Sequence, residues 1–435
     1  MALGGGTFLT QNKILPGAYM NFVSMARASA TLSDRGVATM PLVLDWGPQG
    51  AVMEVSAADF QKSSLKLFGY DYTAPQLMGL RDLFRNIRLA YLYRLGTGGT
   101  KAYNIYATAK YEGLRGNDLM VVVAENVDDP TLYDVYLYLG ASMVDHQVVP
   151  DASGLVDNDF VAWQPGAALT PTAGTPLAGG VNPMPANSDF QTYLDVMEGY
   201  SFNAMGCPSS DAAVKSLFAA FTKRLRDDQG VKFQSVVYNP QGNSDFEGVI
   251  DVLNSSTIGD EWSAVYWVTG VIAGTPVNRS ALNKVYDSEF TLDTSSTQTQ
   301  LENAIKGGKF AFHRVGSDIR VLADINSLVT ITVEKGEDFK QNQTIRVIDQ
   351  IANDIAVLFN TRYLGIVPND ADGRVSLWAD IVKYYGQMQT IRAIENFNSD
   401  DLTIAQGDTK RSVVINGLIS VVNAMEQLYM TTVIA

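Results

Sequence analysis

Ala204-Met205-Gly206-Cys207-Pro208, then Ser210 to Asp228, then Phe233-Gln234-Ser235-Val236-Val237-Tyr238 decides the fold class. The first run reads as a strand end, and Phe233 to Tyr238, with Phe, two Val and Tyr, reads as the next strand. Between them Val214, Leu217, Phe218, Phe221 and Leu225 recur every three or four residues, which predicts a helix from Ser210 to about Asp228. Strand, helix and strand in that order imply a partly parallel sheet. Upstream, Asp189 to Glu198 has helical period. Val37 to Leu44 reads as a strand closed by Asp45-Trp46-Gly47-Pro48, Leu77 to Phe84 as a helix and Leu89 to Arg94 as a buried strand.

The segment between these two α/β pieces has a different period. Tyr103 to Ala109, Leu119 to Ala124 and Tyr133 to Leu139 alternate, separated by Asn, Asp, Gly and Pro turns. This predicts a small all-β module inserted into one α/β domain, returning through an exposed loop from Gln164 to Pro185. Downstream, a strand is expected at Leu328 to Val333 and helices at Gln343 to Tyr363 and Val375 to about Ile391. Strands are expected near Leu402 to Ala405 and Ser412 to Ile415. The class is α/β (α+β), in several units: an N-terminal arm (1–25), an α/β core in two parts (26–100 and 183–325), the β module (101–182), a C-terminal unit (326–426) and a C-terminal arm (427–435).

The two ends carry almost no charge. From Met1 to Ala26 the only charged side chain is Lys13, and after Glu426 the chain reads Gln-Leu-Tyr-Met-Thr-Thr-Val-Ile-Ala. Such apolar, β-branched ends are stable only when something covers and pairs them, and open strands are templates for other chains. Both ends therefore read as sticky strands of a polymer subunit.

The composition narrows the chemistry. A net charge of −14 argues against direct nucleic-acid binding, which needs a basic face. One cysteine, Cys207, permits no internal disulfide and reads as a small buried hydrophobe. His146 and His313 are the only histidines, too few for a Cys/His zinc site, and each reads as a strand surface residue. No secretory signal is visible. The uncharged run Trp262 to Asn278 falls short of the ~20 residues of a membrane span and reads as a buried strand plus turn. Gly96-Thr97-Gly98-Gly99-Thr100 has the glycines of a phosphate loop but leads into an alternating strand pattern instead of a helix. Asp128-Asp129, Asp227-Asp228 and Asp400-Asp401 read as solvated turns or helix ends, and Asp370-Ala371-Asp372-Gly373 lacks the rest of a calcium loop. No catalytic, metal or cofactor residue is assigned.

The order of short motifs is more specific. Leu15-Pro16-Gly17-Ala18-Tyr19, Arg35-Gly36-Val37, Gly113-Leu114-Arg115-Gly116-Asn117-Asp118 and Val271 to Ser280 come first. Asp324-Ile325-Asn326-Ser327-Leu328, Ile345-Arg346-Val347-Ile348-Asp349-Gln350, Asn353-Asp354-Ile355, Tyr363-Leu364-Gly365, Ala393 to Phe397 and Ala424 to Met430 follow. In this order they resemble the tail sheath protein of contractile phage tails and phage-tail-like R-type bacteriocins, over nearly the whole chain. The resemblance implies a structural protein, not an enzyme, that polymerises as stacked rings around a tail tube. It would be assembled in the bacterial host cytoplasm with baseplate and tail terminator proteins, without membrane insertion or cofactor, and contract to drive the tube through a cell envelope. It implies that the arms add strands to neighbouring subunits, with Pro16, Gly17, Tyr19, Phe22, Leu428, Tyr429, Val433 and Ile434 as contacts. It places the C-terminal unit against the tube, with Lys383, Arg392, Lys410 and Arg411 as candidate contacts by location and charge. A nucleotide-binding α/β enzyme and a static tube or capsid subunit are the alternatives.

Overall fold

The computed structural model describes residues 32–434. The first α/β part contains β1 (Val37–Leu42), β2 (Val52–Ser56), α1 (Ala57–Phe68), α2 (Met78–Phe84) and β3 (Leu89–Arg94). The β module follows, with β4 (Lys101–Tyr103), β5 (Ala107–Glu112), β6 (Leu119–Glu125), β7 (Tyr133–Leu139), β8 (Ser142–Val149), β9 (Val161–Trp163) and β10 (Thr172–Pro176). The core resumes with α3 (Asn187–Met197), β11 (Ala204–Cys207), α4 (Ala212–Asp228), β12 (Gln234–Tyr238), β13 (Val249–Val252), α5 (Ala264–Gly274), α6 (Gln298–Lys306), β14 (Lys309–Val315) and β15 (Asp318–Ala323). The C-terminal unit has α7 (Asn342–Arg362), α8 (Ala371–Thr390), β16 (Ile394–Glu395), β17 (Leu402–Gln406), β18 (Val413–Gly417) and β19 (Ser420–Val421).

One sheet unites the two core parts, in the order β15-β14-β13-β12-β11-β1-β3-β2. Its inner strands run parallel, and β15 and β2 close the edges antiparallel. Strands covered on both faces must be apolar throughout, and β1, β11, β12 and β13 are buried at every position. One face packs α1, α2 and α5 through Phe60, Phe68, Leu83, Trp267 and Val268. The other packs α3 and α4 through Phe190, Tyr193, Val214 and Phe218.

The helix α5 lies within the run expected to be a buried strand plus turn. Its residues are apolar on every side because it is enclosed on every side, so it shows no amphipathic period to read. Its glycines reveal the helix instead. A Cβ on Gly270 would sit 2.5 Å from the Leu83 carbonyl oxygen, and one on Gly274 would sit 1.6 Å from that of Asn86. One on Gly79 of α2 would strike the Tyr266 ring at 2.4 Å. The two helices touch backbone to backbone along this small-residue stripe.

The module is inserted as expected, and its two sheets are β10-β6-β7-β8 and β4-β5-β9. Its neck is a pair of antiparallel crossings, Thr97 with Met184 and Thr100 with Val181. Trp46, from the loop after β1, is fully buried in the module's apolar cluster, edge-on to Tyr111 at 5.3 Å. The stretch expected as an exposed return loop holds β10, whose register slips across Gly174 and so hides its alternation. The strand expected at Leu328 to Val333 is not formed. The amides of Val329 and Thr330 instead donate to the Asp245 carboxylate at 2.8 and 2.9 Å, which satisfies them without a ladder.

A charged clasp ties α2 to the loop before α6. Arg81 makes a two-pronged pair with Glu289, both bonds 2.6 Å. Buried Asp82 accepts from the Ser288 hydroxyl and, at 3.1 Å, from the Glu289 amide. Burial pushes the Asp82 carboxyl up to about 6.

Two outcomes follow. Gly274→Ala destabilises the fold by about 1–3 kcal/mol in denaturant melts, because the added methyl has no free volume. Asp82 binds its proton more tightly folded than unfolded, so lowering pH from 7 to 5 favours the folded state at this site. Wild type gains stability relative to Asp82→Asn over that range, by about 1.4 kcal/mol per pH unit at most, in parallel melts at each pH.

Candidate assembly interface

After β18 the chain pairs briefly as β19 against β16, Ile394 opposite Val421, and then leaves the body. Gln343, in the first turn of α7, holds this exit. Its side-chain Nε2 donates to the Val422 carbonyl at 2.9 Å, and its Oε1 accepts from the Ala424 amide at 3.0 Å. Thr344 donates to the Asn423 side chain at 3.1 Å. Beyond this point nothing in the described chain covers the apolar side chains. Leu428, Tyr429, Val433 and Ile434 are 87%, 86%, 88% and 92% exposed, and form no strand with the described residues.

The hairpin β17–β18 pairs from Leu402 opposite Gly417 to Gln406 opposite Val413. It rests on α8 through Leu402, whose carbonyl accepts from the Trp378 indole at 2.8 Å. No third described strand joins it, so its outer edges stay open, and Val414, Ile415 and Leu418 lie exposed beside them. A two-stranded hairpin is marginal alone and its edges accept further strands.

Among the sequence-predicted contacts, Pro16, Gly17, Tyr19 and Phe22 lie outside the described residues. Lys383 is exposed on α8, and Arg392 is exposed just past its end with φ +59°. Lys410 and Arg411 form the turn between β17 and β18, tied to Asn369 just before α8 by the Lys410 carbonyl at 3.1 Å. They therefore sit near the opposite end of α8 from Arg392, about 30 Å away by helical rise, with Lys383 between. The structure spreads them along the length of α8 and does not gather them into a single patch.

The residues that position the exit went unread in the sequence. Polar side chains recur on α7 among the apolar stripe, and most are buried. Arg226 of α4 grips Asp349 with bonds of 2.6 and 2.8 Å, both residues nearly out of water. Arg346 lies 3.7 Å from Asp324, both fully buried, and donates to the Arg279 carbonyl at 2.6 Å. Asp354 accepts from Ser33, Gln350 and Tyr384 at 2.6, 2.9 and 2.7 Å. Arg35 donates to the Ile272 and Thr275 carbonyls at the end of α5, where the helix dipole favours a cation. Burial holds its guanidinium down at about 9. The available signal was the spacing of Arg346, Asp349 and Gln350 on one helical face.

The other candidates find structural roles. Cys207 is buried, and burial pushes its thiol up. His146 bonds Asp134 at 2.7 Å and stacks on Tyr136 on the module surface. Asp370 caps α8 by accepting from the Gly373 amide. Gly96 to Thr100 belong to the neck and lead into β4. No cluster of metal-ligating residues and no helix long and apolar enough to cross a membrane occurs among the described residues.

Removing one partner of the buried pair is costly. Arg226→Met leaves the Asp349 carboxylate unmatched and costs about 3–5 kcal/mol in chemical denaturation, whereas Arg226→Met with Asp349→Leu regains most of it.

Comparison with known proteins gives the same picture along the whole described chain. The phage tail sheath protein central domain matches residues 185–327 and the phage tail sheath C-terminal domain residues 334–435. The phage tail sheath protein beta-sandwich domain matches residues 93–182, and the tail sheath protein Gp18 domain III N-terminal region residues 35–95. The phage-like element PBSX protein XkdK of Bacillus subtilis is 32% identical, over 98% of this chain and 99% of the relative. The crystal structure of the sheath tail protein from Desulfitobacterium hafniense superposes with a TM-score of 0.83 at 36% identity, covering 94% of this chain and 98% of that one. The helical sheath of the anti-feeding prophage in its contracted state shares the fold alone, with a TM-score of 0.60 at 13% identity over 97% and 99% of the two chains. The enzyme alternative is thereby set aside: the chain belongs to the phage tail sheath protein family, whose members are structural proteins.

Proposed function

We propose that this chain is the repeating subunit of a contractile sheath, joined to its neighbours by exchanged strands. The observation that carries this reading is the pairing of opposites on one body. An apolar C-terminal segment stands uncovered, and a hairpin with open edges stands beside its exit. A segment from one subunit can add to the hairpin of the next, with main-chain bonds giving direction and Leu428, Tyr429, Val433 and Ile434 giving grip. Residues 1–25, with Pro16, Gly17, Tyr19 and Phe22, supply the second arm, and the units drawn in the sequence from 26 to 426 form the moving body. Each added hydrogen bond contributes about 0.5–1.5 kcal/mol net, so several strands per subunit are needed to hold a cylinder.

The sheath surrounds a tail tube and ends at baseplate and terminator proteins. It stores free energy in its extended packing and releases it on contraction, without a nucleotide, to push the tube through a bacterial envelope. The arms stay closed while the bodies rotate. The basic residues Lys383, Arg392, Lys410 and Arg411 face the tube, with contacts that break at firing. The particle is a phage tail or a phage-tail-like bacteriocin, assembled in the host cytoplasm.

Negative-stain microscopy of the expressed chain tests this. Long hollow cylinders are expected from the full chain. Deleting residues 1–22 or 427–435 abolishes them while circular dichroism still reports a folded body. Cylinders that survive both deletions refute strand exchange.

A further inference from the structure

Both arm roots are fastened to one helix. The C-terminal segment leaves from Gln343 and Thr344 in the first turn of α7, through the bonds to Val422, Asn423 and Ala424. At the other end of the described chain, Ser33 is held three turns further along the same helix. Its hydroxyl donates to Asp354 at 2.6 Å and accepts from the Gln350 amide at 2.6 Å. Eleven residues at helical rise set the two roots about 16 Å apart along the axis.

Between the two clamps lie the bonds that fix α7 to the body. Arg346 meets Asp324, and Asp349 meets Arg226, all out of water. The helix therefore cannot turn or slide without exposing or unpairing buried charge, at a cost far above that of a surface contact.

We propose that α7 is a shared anchor that fixes the spacing and direction of the two arms relative to each other. Gln343 and Ser33 are then positioning residues for polymerisation: through bonds within their own chain they set how a subunit presents both arms at once. The inference rests on the reading of the arms as links between subunits. Its physical content is effective concentration. When one arm has docked, the second finds its site quickly only if the angle between the roots is held. Freeing either root loses that advantage whole, and freeing the other adds little.

The test is a double-mutant cycle on the full-length chain: Ser33→Ala, Gln343→Ala and both together, read as the concentration at which cylinders form by light scattering and microscopy. Each single variant is expected to raise that concentration by roughly tenfold, the effect of one lost anchor. The double variant is expected to do no worse than the more severe single. Ser33→Thr, which keeps the hydroxyl, stays near wild type, and the melting of all variants below that concentration stays close to wild type. Multiplying effects, roughly a hundredfold in the double variant, mean independent roots and overturn the proposal. Single variants that assemble normally overturn it too, as does a loss of assembly that only tracks a loss of melting temperature. Deletion of 427–435 on the same day separates the two levels. If the deletion still polymerises, the strand-exchange reading itself fails; if it does not and the cycle is additive, only the shared anchor fails.

Discussion

A guanidinium taken out of water needs acceptors around it, and Arg226 finds the Asp349 carboxylate. That single contact joins α4, a helix of the central sheet, to α7, the first long helix of the C-terminal unit. Desolvating two charges is expensive, so the pair tolerates one geometry only. Around it the other buried polar groups fall into line: Asp324 against Arg346, and Asp354 against Ser33 and Tyr384, with half-buried Arg35 at the end of α5. An oily contact would let the two units slide; this one makes them a single body.

How much of this could be read in advance depends on what each element packs against. α4 and α7 were legible because one side of each is wet, so apolar residues recur with helical period. The inner strands β1, β3, β11 and β12 were legible as short, largely apolar runs whose faces are dry, whereas β13 was not picked out. α5 is dry all round and carries glycines and valines, so its period vanished and it looked like a strand. β10 was hidden by a slipped register at Gly174, and the segment after Leu328 was diverted by an aspartate that offered its amides a nearer partner. The apolar character of the C-terminal end was plain in the sequence, and in the folded chain those side chains are exposed. The arrangement that aims it was not, because Gln343, Val422 and Ala424 meet only in three dimensions. Charge spacing on α7 hinted at a buried network without saying which arginine would answer.

The same division separates stability from assembly. The central sheet and its two helical layers make an ordinary self-sufficient core. What marks the chain as a building block lies at its margins: a hairpin short of strands and a tail short of cover. On the strand-exchange proposal, part of the subunit's stability is tied to its neighbours and depends on concentration.

The neck of the β module has a different consequence. Entry and exit cross at Thr97 with Met184 and Thr100 with Val181, and β3 and α3 resume the core on either side. No ladder of the central sheet passes through the module, and a few core residues seat it, Trp46 and Leu65 in its apolar cluster and the Gly69 carbonyl on Arg115. The module is thus a cassette. A lineage can enlarge it, exchange it or reduce it to a loop while the hydrogen bonds of the sheet stay as they are, so the face it presents is free to diverge at a pace the rest of the subunit cannot follow.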